Sequence, residues 1–188
     1  MILTIRNMVC DRCIRVVREE LGKLGLDVRS VVLGEAVIAP GQHQLDLERI
    51  RSVLRSAGFD IVDDRKAKIV EKIKTAVIRL IHHNEKTKQI EINFSEYLAE
   101  EVNADYHHIS SLFSSIEGIT IEKYVILQKI ERVKELLKYG ELTLSEIAYQ
   151  MEYSSVAHLS SQFKKVTGMT PTAFKKMTLP GRKSIDLL

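Results

Sequence analysis

The sequence predicts a small α+β domain over residues 1–64, followed by an all-α domain over residues 65–188. Three observations carry this. Up to Val62, short apolar runs of strand length alternate with two amphipathic helical stretches. Beyond Lys66, apolar residues recur in steps of three and four, the spacing of a helix face. Within that second region a helix-break-helix pattern occurs twice, with one long helix between the copies.

Ile2 to Arg6 is a short apolar strand. Cys13 to Leu24 is helical, with Ile14, Val17, Leu21 and Leu24 on one face and Gly22 and Gly25 at a frayed end. Val28 to Leu33 and Ala36 to Ala39 are strands joined at Gly34-Glu35, and Pro40-Gly41 ends the hairpin. Asp46 is a good N-cap for a helix through Ala57 with Leu47, Ile50 and Leu54 inward. Gly58 stops it, and Phe59 to Val62 is a last strand. The order βαββαβ is that of a ferredoxin-like split unit.

Asp63-Asp64-Arg65-Lys66 reads as a charged hinge and sets the domain boundary. Ile69 to Ile81 is then a helix with Ile73, Val77 and Leu80 inward, and His82 to Gln89 is polar and loop-like. Ser95 is placed to cap a helix through Val102, with Leu98 and Ala99 inward. Asn103 follows at the break, where its short polar side chain tolerates left-handed backbone. Tyr106 to Ser115 is a second short helix with Ile109, Leu112 and Phe113 buried, closed by Gly118. Ile121 to Tyr139 is a long helix carrying Ile126, Ile130, Val133 and Leu137. The pattern then repeats: EYLAEEVNADYHHISSLFSSIEGIT stands against SEIAYQMEYSSVAHLSSQFKKVTGMT, and both copies end in helix, Gly, an apolar residue and Thr.

Composition narrows the function. The chain has 188 residues, of which 45% are hydrophobic, and only nine Gly and three Pro, so a packed core is expected. The net charge of +3 decides nothing by itself. Its distribution says more: Phe163 to Lys183 holds Lys164, Lys165, Lys175, Lys176, Arg182 and Lys183 and no acid, the kind of cluster that phosphate contact requires. No run of 18 apolar residues exists to span a membrane. MILTIRNMVC lacks the basic leader and long apolar core of a secretory signal. Two cysteines without a leader fit a reducing cytoplasm. No Ser-His-Asp order, phosphate loop or carboxylate pair stands out, so no enzyme is expected.

The second copy of the repeat carries the chemistry. A short helix with Leu144, Ile147, Ala148 and Met151 meets a break at Glu152-Tyr153. The next helix places Val156, Leu159, Phe163 and Val166 on one face and Ser155, Ala157, His158, Ser161, Gln162 and Lys165 on the other. That second face is small, polar and free of acid, which suits a DNA major groove. An ordinary helical hairpin has the same spacing, so particular residues must decide. Ile147-Ala148, Tyr153-Ser154, Phe163-Lys164-Lys165, Gly168 and Thr170-Pro171 resemble the C-terminal signature of the AraC/XylS family of bacterial transcription regulators. The resemblance runs from about Ile69 to Lys176. It departs where Glu152 replaces the family's usual Gly, Leu159 an aromatic, and Ser161 a frequent Arg.

The resemblance implies a double helix-turn-helix domain on double-stranded DNA, with two recognition helices in successive major grooves. A helix from Ile121 to Tyr139 is about 28 Å long, suited to units one DNA turn of ~34 Å apart. The base-facing positions it implies are Val156, Ala157, Ser160 and Ser161, and Tyr106, His107, Ser110 and Ser111 in the first unit. His108 is also available for bases or phosphate. Lys164 and Lys165 would grip phosphates. Adjacent His107 and His108 diverge on a helix and make a poor metal site, and His43, His82, His83 and His158 lack ligand spacing. RNA polymerase and a second copy of the chain are further partners left open.

Asn7-Met8-Val9-Cys10-Asp11-Arg12-Cys13 lies between the first strand and helix. With the βαββαβ order it resembles the metal-binding loop of heavy-metal-associated domains over about Met1 to Asp63, matching at Met8, Cys10 and Cys13 and departing at Asn7 and Val9. A helix N-terminus favours thiolate, and two close thiolates suit a soft ion such as copper(I). Tetrahedral zinc would need two more ligands. Metal binding, a Cys10–Cys13 redox switch and a partner-docking role all stay open, with no cofactor required. A copper(I)-type metal carrier or sensor is the alternative to a DNA-binding regulator. A thioredoxin-like oxidoreductase needs a larger domain around its CxxC than 64 residues supply.

Overall fold

A computed structural model describes residues 1–39, 46–83 and 93–178. The expected turn at Pro40-Gly41, His43, most of the expected loop after His82, and Arg182 and Lys183 lie outside the described residues. The chain divides into two compact units, Met1–Thr120 and Ile121–Leu188.

The first unit runs β1 (Ile2–Arg6), α1 (Asp11–Lys23), β2 (Val28–Val32), β3 (Glu35–Ile38), α2 (Leu47–Ser56), β4 (Asp60–Val62), α3 (Arg65–His82), α4 (Phe94–Val102) and α5 (Tyr106–Glu117). Its strands form one antiparallel sheet in the order β2-β3-β1-β4. The register sets Leu3 opposite Ala36 and Ile5 opposite Ile61. These side chains are buried in one cluster with Val17 and Leu21 of α1 and Ile50 and Leu54 of α2. Leu47, expected inward, is instead exposed. A helical side chain leans over the preceding turn, and Leu47 is the first residue of α2.

Asp60 opens β4 among three guanidinium groups: Arg6 Nη2 at 2.8 Å, Arg51 Nη1 at 3.2 Å and Arg55 Nε at 3.1 Å. Arg51 also pairs with Asp63. Burial alone would raise the Asp60 pKa, but the hydrogen bonds from Arg6 and Arg55 outweigh it and hold the carboxyl well below the usual carboxylate range.

The expected hinge is a helix start. The Asp64 side chain accepts from the Ala67 amide at 2.9 Å and caps α3, which therefore begins at Arg65. Helix α3 packs against the sheet on one side and against α4 and α5 on another. Ile78 joins the sheet's core cluster. Arg79 Nη2 donates to the Leu33 carbonyl at 3.4 Å, and His83 Nε2 to the Val9 carbonyl at 2.9 Å. Gly34 turns the β2–β3 hairpin at φ 79°, and a Cβ there would stand 2.6 Å from Thr75 Oγ1 of α3, so both turn and contact require glycine. The boundary expected at 64/65 thus falls inside the first compact unit.

The second unit is α6 (Ile121–Tyr139), α7 (Leu144–Gln150), α8 (Val156–Thr167) and α9 (Pro171–Thr178). Ile130, Val133 and Leu137 of α6 close a core with Ile147, Ala148, Met151, Leu159 and Phe163. Phe174 of α9 meets Phe163 edge-on at 5.6 Å between ring centres. Burial of this cluster supplies the unit's main driving force, about 25 cal/mol per Å² of apolar surface removed from water.

Candidate nucleic-acid interface

The two helix-turn-helix pairs, α4–α5 and α7–α8, are built to one plan. Both first helices open with a capping box: Asn93 with Glu96, and Thr143 with Glu146. The first cap, expected at Ser95, is Asn93, whose side-chain Oδ1 accepts from the Ser95 amide at 3.4 Å while Glu96 accepts from the Asn93 amide at 3.2 Å. Both first helices are followed by one residue in left-handed backbone, Asn103 at φ 53° and Glu152 at φ 57°. Both second helices have a polar N-cap. Asp105 accepts from the amides of His107 and His108, and Ser155 from that of His158. Both close on a glycine at positive φ, Gly118 and Gly168.

The inward faces correspond as well. Ile109 and Phe113 of α5 are fully buried, as are Leu159 and Phe163 of α8. Leu112, expected inside, is only half-buried because it lies on the flank of that two-residue seam. Of the residues singled out for DNA contact, His107, His108 and Ser111 on α5 are exposed, and Tyr106 and Ser110 are half-buried. On the second pair, Ser155, Ala157, His158, Ser161, Lys164 and Lys165 are exposed, and Val156 and Ser160 are half-buried. Val156 packs against the unit's core, so it offers only part of its surface.

The two outward faces differ in charge. Helix α8 ends in Lys164 and Lys165 and contains no acid. Helix α5 has no basic residue in its last turn, and its Glu117 is paired with Lys74 of α3 at 2.7 Å.

One feature of the second turn had no signal in the sequence. Lys129 of α6 reaches the break and donates to the Met151 carbonyl at 2.8 Å. Its ammonium is 3.7 Å from Glu152 Oε2 and 5.7 Å from the Tyr153 ring centre. The Tyr153 ring meets His158 edge-on at 5.3 Å. Burial raises the Tyr153 phenol to a pKa of about 12, so it stays protonated at any working pH.

A family description, "Helix-turn-helix domain", matches residues 98–177. This part of the chain is an AraC-type helix-turn-helix domain. Over 97 residues the chain is 30% identical to the bifunctional transcriptional activator/DNA repair enzyme AdaA of Bacillus subtilis, covering 49% of this chain and 46% of that protein. Over 94 residues it is 28% identical to the probable transcriptional regulator LumQ of Photobacterium leiognathi, covering 50% of this chain and 36% of that one. The chain thus spans less than half the length of either relative. In fold it is similar to the C-terminal domain of AraT, a response regulator from Geobacillus stearothermophilus, with a TM-score of 0.52 at 21% identity over 64% of this chain and 94% of that one.

The thiol pair lies in the other part of the first unit. Cys10 is the N-cap residue of α1, and its sulfur is 3.4 Å from that of Cys13. Burial pushes the Cys10 pKa up, but hydrogen bonds from the Cys13 amide, the Cys13 thiol and the Arg12 amide bring it below the ordinary thiol value. Met8, which resembled a metal-loop methionine, is buried in the sheet core. Among the described residues no group of three His, Cys, Asp or Glu is placed to hold a metal. Among them, too, no helix is long and apolar enough to cross a membrane.

Proposed function

We propose that the chain is a sequence-specific, non-enzymatic transcription regulator that places α5 and α8 in successive major grooves of double-stranded DNA. The observation that carries this is the matched construction of the two pairs, each presenting a polar outward face beyond a buried apolar seam. Helix α6 has 19 residues, about 28 Å of rigid rod, in keeping with reading along one duplex. Lys164 and Lys165 neutralise phosphates, and Tyr106, His107 and His108 supply the stronger base-reading groups. A bacterial cytoplasm is the compartment such a regulator requires. A second copy of the chain and RNA polymerase are its natural further partners.

The test is footprinting on a duplex enriched by the full chain from a randomised library. The expected result is protection over about two helical turns, with affinity falling steeply as salt rises. A chain that enriches no sequence would sink the reading.

The finer part of the proposal concerns the thiols. The order β1-α1-β2-β3-α2-β4 and the sheet order support a ferredoxin-like fold of heavy-metal-associated type. Its Cys10 and Cys13 would hold a soft, low-coordinate ion such as copper(I), or lose two protons and two electrons to a peroxide or disulfide oxidant and form a disulfide. The short sulfur separation and the depressed Cys10 pKa favour thiolate chemistry of either kind. Equilibrium dialysis with copper(I), comparing the chain with Cys10→Ser and Cys13→Ser, decides for the metal. Stoichiometric uptake lost in both variants supports it, and no uptake removes it.

A further inference from the structure

The second turn uses an unsuitable residue where the first uses a suitable one. Asn103 and Glu152 both adopt left-handed backbone. Asn does so readily because its side chain is short and polar, whereas the longer Glu side chain is less suited to that conformation. The difference is met from outside the turn. A single ammonium, that of Lys129, touches three consecutive turn residues: the Met151 carbonyl at 2.8 Å, the Glu152 carboxylate at 3.7 Å and the Tyr153 ring face at 5.7 Å. The contact does not stop there. Tyr153 stands edge-on to the His158 ring at 5.3 Å, and His158 Nδ1 is 3.1 Å from Ser154 Oγ. His158 lies in the first turn of α8 on the exposed face, its amide held by the Ser155 cap. A continuous set of contacts therefore runs from the middle of α6 to the N-terminal end of α8.

We propose that Lys129 is a positioning residue for DNA reading: it holds the Met151–Tyr153 turn in the conformation that aims α8 and, through Tyr153, sets the His158 ring so that Nε2 faces the base edges. This rests on the reading of α8 as a recognition helix. Lys129 does not act as a phosphate contact. Its side chain is 23% exposed, and its ammonium is already committed to the turn. The second helix-turn-helix thus has a reader, His158, whose orientation is fixed by a residue outside the helix-turn-helix.

Two probes separate the roles: a duplex of about 25 base pairs enriched from a randomised library by the wild-type chain, and a random duplex of the same length. Lys129→Met should bind the enriched duplex about tenfold more weakly and the random duplex within about twofold of wild type, with the salt slope unchanged. Lys129→Arg, which keeps charge and donor, should retain most of the discrimination. In a Glu152→Gly background, where the turn needs less support, the Lys129→Met loss should shrink to about threefold. Equal loss on both probes with a flatter salt slope would make Lys129 a phosphate contact and overturn the proposal. Unchanged discrimination, or the same loss in both backgrounds, would overturn it too. If Lys129→Met fails to fold by circular dichroism, Tyr153→Leu decides, because it breaks the ring contacts and keeps apolar volume. Discrimination preserved in Tyr153→Leu overturns the proposal. A wild-type chain that enriches nothing removes DNA reading altogether, whereas enrichment with an indifferent Lys129→Met removes only the positioning role.

Discussion

Asn103 and Glu152 hold the same left-handed backbone, φ 53° and φ 57°, each in the break of one of two successive helix-turn-helix units. For an L residue that conformation costs roughly 1 kcal/mol, and glycine removes most of the cost. Glu152→Gly should therefore raise thermal stability, with the loss of the 3.7 Å pairing between Lys129 and the exposed Glu152 carboxylate subtracting little. Asn103→Gly should change stability much less. Paired melting curves for the two variants check this, and an equal gain at both sites would contradict it.

Charge is divided unequally between α5 and α8, the helices proposed to read DNA. Lys164→Ala with Lys165→Ala should weaken binding to every duplex alike and lower the salt slope by about one per lysine. His107→Ala or Tyr106→Ala should leave the slope in place and relax base preference at positions on one half of the site. Titrations of enriched and random duplexes at several salt concentrations measure both effects together.

Asp60 links acid stability to the sheet. Its pKa is depressed in the folded state below the unfolded value of about 3.8, so its contribution is fully present above that value. It is lost as pH falls from there through the folded pKa. Asp60→Asn should lower stability at neutral pH and flatten the fall in stability below about pH 4, because the titrating group is gone. Urea melts from pH 7 to pH 2 on both proteins measure the difference, and parallel pH curves would contradict it.

The Cys10 thiol, lowered from its ordinary value of 9.0, should be alkylated by iodoacetamide with a half-maximal rate below that pH. Cys13→Ala should shift the Cys10 profile upward, since it removes the Cys13 thiol, one of the groups stabilising the thiolate. Mass-resolved alkylation kinetics give the profile residue by residue. A Cys10 rate that follows an ordinary thiol curve would remove the argument.

Much of the architecture was readable from residue order because the signals were local. The long helix Ile121–Tyr139, the left-handed break at Asn103 and the glycine stops came from apolar spacing and turn chemistry alone. Asn93 and Glu96 carried the capping box of α4 in plain view, yet Ser95, one polar residue further on, competed for the role. The start of α3 is masked because Asp63 to Lys66 has the composition of a linker, whereas Asp64 is an N-cap. At the interface, exposure of Ala157, His158 and Ser161 followed from helical period. Lys129 could not have been found that way. Its role depends on α6 passing the turn between α7 and α8, a juxtaposition with no trace in the spacing of a surface lysine.

Helix α3 has a consequence for protein engineering. Its Ile78 fills the sheet's core, and its Arg79 and His83 satisfy the carbonyls of Leu33 and Val9. A chimaera joined at the acidic pair before α3 would strip an apolar side chain and two donors of their partners, and should emerge from expression as an aggregating product. A junction at Thr120-Ile121 leaves those contacts whole, so any exchange of the sheet should carry α3, α4 and α5 along with it.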